Sequence, residues 1–264
     1  MSQMTKDMLG GEETAENGRD PETLRGATWG DIALYIFGGF GIYFLASFIL
    51  GLFITEFNLA LTFAISVINF LCLGGTLYLF GILRKKVSWS SMGLFPPKKI
   101  LKQALLGVGF ALAIIPLRFL AGAAAILLEF LIYGEVSSMA YRNDLLTTGL
   151  DSLGGVLIMV VGVGVLAPIA EELFFRGLLY DWFRQKFGVE WGIGISSLVF
   201  GLAHYDSLAV VLSSLIMGAA MAFAYEKTRS LWISIFMHVS TNTGAVLLLA
   251  LIAQLDKIYP GLQY

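Results

Sequence analysis

Beyond a polar N-terminal stretch, the chain is a succession of long apolar runs separated by short polar breaks. Crossing the hydrocarbon core of a bilayer takes about 20 consecutive apolar residues in a helix. Runs of that order cover about 31–54, 58–83, 100–133, 153–187, 191–206, 207–226 and 231–254. The pattern predicts an all-α fold, a polytopic transmembrane helix bundle of about seven spans (six to eight). The third run is long enough to tilt, or to bend at Pro116. Small residues recur inside the spans, as in GGFG (38–41) and GGVLIMVVGVG (154–164), and are read as places where helices pack closely.

The polar breaks divide the chain. Residues 1–29 read as a disordered cytoplasmic tail, without the basic-then-apolar pattern of a cleaved leader. Residues 30–149 hold the first helices and an interfacial linker, RKKVSWSSMGLFPPKK (84–99), and end in the polar loop 134–152. Residues 150–256 form a second unit, and 257–264 a short C-terminal tail.

Composition agrees with this reading. The chain is 57% hydrophobic and only 14% charged, where a soluble domain carries about 25% charged residues. A net charge of −2 gives no electrostatic footprint for nucleic acid. The single cysteine, Cys72, excludes a disulfide framework and a cysteine-rich metal site.

Basic residues follow the span count. Arg84, Lys85, Lys86, Lys98, Lys99 and Lys102 lie between spans two and three, Arg184 and Lys186 between four and five, Lys227 and Arg229 between six and seven. With seven spans they share one side with the N-terminus. The expected topology is therefore an integral, multi-pass protein with a cytoplasmic N-terminus and an exterior C-terminus.

Ionisable groups inside such spans are costly and mark candidate sites. They occur in EELFFR (171–176), in FGLAH (200–204), in HVSTN (238–242), and as Arg118 and Glu129 in the third run. The only two histidines of the chain, His204 and His238, both belong to this set. Helical spacing sorts the first cluster. Glu172 and Arg176 are four apart and face each other, whereas Glu171 points about 100° away without a local cation. Glu172–Arg176 reads as a supporting ion pair, leaving Glu171 for chemistry as a general base or acid. His238 and Asn242, also four apart, make a plausible donor pair for a developing oxyanion. Phe200 lies one turn before His204, where it would hold the imidazole, shape an apolar slot or simply pack. No nucleophile elbow, HExxH or GxGD pattern is present.

The order EExxxR, FxxxH, HxxxN on successive apolar helices resembles the CPBP family, the CAAX prenyl proteases of the Ras-converting type and the bacteriocin-processing or Abi proteins. The resemblance covers about 150–255 and makes that unit the expected catalytic core, with the motifs on the last four helices. WSSMGL (89–94) resembles the short interfacial segment that precedes the core. The resemblance implies an intramembrane endopeptidase acting on a membrane-anchored or CAAX-like peptide or protein, in a prokaryotic plasma membrane. It implies that Glu171 and His204 activate water, His238 and Asn242 stabilise the oxyanion, and Glu172 and Arg176 hold the site in shape. No cofactor is expected. A zinc-dependent version is the alternative, with Glu171, His204 and His238 as ligands. Two other classes are a non-proteolytic scaffold or bacteriocin-immunity protein, and a transporter or proton relay; the transporter reading lacks the internal repeat such proteins often carry.

One geometric demand follows. At ~1.5 Å per residue, Glu171 lies roughly 20 Å from Arg184, and His204 a similar distance from Trp191, but His238 only roughly 10 Å from Leu231. The three meet only if the last span starts earlier or the others begin deeper.

Overall fold

A computed structural model describes residues 27–54, 58–94, 96, 99–134, 147, 149–205 and 207–258. The expected disordered tail falls outside these residues but for its last three, as do most of the 134–152 loop and the last six residues of the chain. The helices are α1 (Trp29–Phe53), α2 (Leu59–Ile82), α3 (Ile100–Tyr133), α4 (Leu153–Phe187), α5 (Val189–Leu202), α6 (Leu208–Thr228) and α7 (Leu231–Ile258). Among the described residues, six are long and apolar enough to cross a bilayer; α5 is the short one. The chain is an all-α, multi-pass membrane protein, and most of its exposed large side chains are apolar groups on the outer faces of the bundle.

The helix ends follow local side-chain chemistry. Thr28 and Asp31 form a reciprocal capping box at the start of α1. Asn58, Ser152 and Ser207 each accept a backbone N–H in the first turn of α2, α4 and α6. Gly188, at φ 91°, makes the turn between α4 and α5, a backbone conformation that favours glycine. The fifth helix therefore begins at Val189 and ends at Leu202, because residues 203–205 form a turn before Ser207 starts α6. Its 14 residues span ~21 Å, less than the ~30 Å hydrocarbon core. Pro116 lies inside α3, which is continuous through it.

The basic ends gather at one end of the bundle. Arg84 and Lys86 face Asp31 (3.9 and 3.4 Å), while Arg184 and Arg229 both pair with Glu226. The α5–α6 pair is thus a hairpin that leaves this end after Phe187 and returns to it at Glu226. Residues 88–94 tuck beneath the same end. Met92 is buried, its carbonyl accepts from Tyr225 Oη (2.8 Å), and the Leu231 N–H donates to the Gly93 carbonyl (3.2 Å). The start of α7, Ser230 and Leu231, is buried under this segment. His238 lies seven residues beyond this buried start.

Small residues set the close crossings that hold α4 at the centre. A Cβ on Gly162 would lie 3.1 Å from Phe63 and 3.2 Å from Ser66 of α2; one on Gly164 would lie 2.7 Å from Thr243 of α7. Gly39 likewise meets Leu73 at 3.0 Å, whereas Gly41 and Gly154 face open space. The small residues of both stretches therefore serve packing only in part. α4 is not a uniform α-helix. Residues Val160–Leu166 and Phe175–Tyr180 are π-helical, bracketing the two glutamates. Such π-bulges recur at functional sites and re-aim the side chains that follow.

Candidate active site

Glu171 and Glu172 sit between the two π segments of α4. Glu172 is fully enclosed. Its Oε1 accepts from Arg176 Nη1 and from His238 Nδ1, each at 2.8 Å, and its Oε2 accepts from the Ser234 hydroxyl. The i,i+4 ion pair read from the sequence is present, with both side chains at most 1% exposed. Arg176 also donates Nη2 to the Gly218 carbonyl (3.2 Å), and its guanidinium lies 4.4 Å from the centroid of Phe200. A carboxylate buried this deeply persists only with its donors in place; Glu172 has three.

Glu171 has a different environment. Its side chain is 14% exposed, and Oε2 lies 3.9 Å from His204 Nε2 and 3.8 Å from His238 Nε2. Both rings present Nε2 because Nδ1 is engaged elsewhere. His204 Nδ1 is 2.8 Å from the Phe200 carbonyl, which can only accept, so Nδ1 carries the hydrogen. His238 Nδ1 is held by Glu172 in the same sense. Two ring lone pairs and one carboxylate oxygen thus converge, which is a site for a proton donor such as water. The Phe200 ring touches three site groups: it lies tilted beside His204 (4.7 Å), edge-on to His238 (5.6 Å) and under the Arg176 guanidinium.

Asn242 departs from the expected geometry. It lies one turn beyond His238, but its Nδ2 donates to the Val163 carbonyl of the first π segment (3.2 Å). Among the described residues no hydrogen bond joins it to His238 or Glu171. Arg118 lies apart from the site; its Nε donates to Ser213 Oγ on α6 (3.2 Å).

Two residues of the site carried no signal in the sequence pattern that tied them to it. Asn69, in the middle of α2, donates Nδ2 to Glu171 Oε1 at 3.0 Å. A lone asparagine inside ISVINFLCL was the available signal, but nothing in sequence linked it to a glutamate 102 residues away. The same is true of Ser234, which holds Glu172.

Zinc demands a tighter spacing than this donor set has. Ligand atoms around a tetrahedral zinc with ~2.0–2.1 Å bonds are about 3.3–3.4 Å apart. The two carboxylate–imidazole separations here, 3.9 and 3.8 Å, are wider. Among the described residues no group of three His, Cys, Asp or Glu side chains has metal-holding geometry.

Comparison with known proteins bears on the same helices. The Rce1-like family, type II CAAX prenyl endopeptidase, matches residues 153–244. A Bacillus subtilis (strain 168) protein named "Putative membrane peptidase YdiL" is 32% identical over 99 residues, 38% of this chain and 40% of its own length. An Escherichia coli protein named "Uncharacterized 24.3 kDa protein" is 27% identical over 100 residues, 36% of this chain and 46% of its own. The chain thus spans less than half the length of these curated relatives. No solved structure matches. The matched stretch contains EExxxR, FxxxH and HxxxN in order, so the resemblance to the Rce1-like type II CAAX prenyl endopeptidases rests on residues 153–244 of this chain.

Proposed function

We propose that the protein is an intramembrane endopeptidase that hydrolyses a peptide bond of a membrane-anchored or CAAX-like substrate with water activated by Glu171 and His204. The observation that carries this reading is the convergence of Glu171 Oε2 with Nε2 of both histidines at 3.9 and 3.8 Å. A water seated there donates hydrogen bonds to the carboxylate and to His204. Its oxygen then faces outward as a nucleophile. Attack on the scissile carbonyl carbon breaks the C=O π bond and leaves the charge on oxygen. Glu171 takes the water's proton and passes it to the amide nitrogen as the C–N bond breaks. The products are a carboxylic acid and an amine.

His238 can donate to the oxyanion only when Nε2 also carries a hydrogen. Glu172, 2.8 Å from Nδ1, is placed to support that imidazolium, as a buried carboxylate supports histidine in other hydrolases. Asn242 keeps one N–H on Val163 and has a second to offer. Residues 150–256 form the catalytic core. The end where the basic residues gather faces the cytoplasm, following the positive-inside rule. Glu171, 13 residues before Arg184, then lies about 20 Å from that end.

The test uses full-length protein in detergent and an internally quenched farnesylated CAAX-type peptide. Glu171→Gln and His204→Ala are expected to lower turnover by ~10²–10⁴-fold while the protein stays folded. Wild-type turnover in both variants overturns the mechanism. Loss of activity on chelation, restored by zinc, favours the metal-dependent version instead.

A further inference from the structure

We infer that Asn69 is a positioning residue for Glu171, so that the site is completed by a helix outside the family-matched segment. This rests on the peptidase reading above. Asn69 lies on α2, which carries no charged side chain, and the matched segment begins only at residue 153. Its carboxamide reaches Glu171 Oε1 at 3.0 Å, and among the described residues it is the one hydrogen-bond donor to that carboxylate. The other groups around Glu171 are acceptors at the atoms facing it, His204 Nε2 and His238 Nε2. Arg176 and Ser234 are committed to Glu172.

This arrangement divides the two oxygens of one carboxylate. Oε1 is tied to an N–H donor and is the weaker place for a proton, since protonation would remove the charge that strengthens this hydrogen bond. Oε2 is left to receive the proton, on the side where the histidines and the water meet. Asn69 also fixes the rotation of the carboxylate. Without that bond the group turns about its terminal torsion, which has a broad energy profile, and Oε2 leaves the histidines. The contact is available because α2 crosses α4 closely. Gly162 of α4 faces Phe63 and Ser66, and Ser66 is one turn before Asn69.

The experiment compares Asn69→Ala, Asn69→Ser and Asn69→Asp with wild type on the same farnesylated peptide, measuring kcat and KM separately. Monodispersity and melting temperature in detergent identify any variant that fails to fold. Loss of one charge-assisted hydrogen bond is expected to lower kcat about ten- to a hundredfold in Asn69→Ala, with KM unchanged. Asn69→Ser, which keeps a shorter donor, is expected to lie between Ala and wild type. Asn69→Asp has the shape of asparagine but turns the donor into an acceptor, and is expected to be the least active of the three. A ranking in which Asn69→Asp is the most active of the three overturns the inference. So does kcat within twofold of wild type in Ala and Asp while Glu171→Gln is inactive. A wild-type chain that leaves the peptide intact overturns the peptidase reading itself, and this inference with it.

Discussion

Removing the Arg176 guanidinium tests whether Glu172 is held as a buried anion. Arg176→Met keeps length and apolar bulk but deletes the charge. Glu172, with a side chain 0% exposed, would keep only the donors from His238 and Ser234. Breaking one side of a buried ion pair costs about 3–5 kcal/mol. The guanidinium over Phe200 at 4.4 Å contributes ~2 kcal/mol more when desolvated. Packing of the methionine returns part of this, so the expected loss is about 3–6 kcal/mol. Glu172→Gln with Arg176→Met removes both charges at once. The pair exchange is expected to cost about 0–2 kcal/mol, well below the sum of the single changes. The assay is reversible unfolding in mixed micelles, followed by helical circular dichroism, with all four members of the cycle. Arg176→Met within 1 kcal/mol of wild type, or costs that simply add, would falsify the account of Glu172 as a charge dependent on its cation.

Other expectations follow from individual contacts. Phe200→Leu removes the ring shared by Arg176, His204 and His238; it should lower kcat more than KM, and unchanged kinetics would reduce Phe200 to packing. Gly164→Ala places a Cβ 2.7 Å from Thr243 Oγ1 and should destabilise by ~1–3 kcal/mol. Thr243→Ala in the same chain should restore most of that in thermal unfolding; failure to do so means the strain lies elsewhere. Asn242→Ala should reduce kcat by about 10²-fold if its second N–H meets the oxyanion, and a loss confined to stability would leave it only the bond to Val163.

The apolar runs alone determined the helices. A segment of 20 or more apolar residues in lipid must satisfy its own backbone, and only a helix does so within one segment. The start of α3 and both ends of α4 agree with the pattern to within a residue. The Glu172–Arg176 pair was equally legible, because i,i+4 neighbours meet on a helix whatever surrounds them. The order of three motifs pointed to the family, and residues 153–244 match it.

Tertiary structure decided what depends on distance between helices. Periodicity treats α4 as regular, but two π segments bracket its glutamates. Spacing set His238 beside Asn242, whereas packing gave His238 to Glu172 and Asn242 to Val163. Which imidazole nitrogen faces Glu171 follows from the partners of the other nitrogen, and Glu172 lies 66 residues from His238 in sequence. The burial of the last helix's start was set by residues 88–94 covering it. Asn69 was invisible for the same reason: a single polar residue in an apolar run has no local partner, and its meaning appears only when α2 crosses α4. Local sequence fixes what each segment can be, because backbone hydrogen bonds and i,i+4 contacts are short-range. The site is built from contacts between segments, and those are set by how closely small residues let the helices approach.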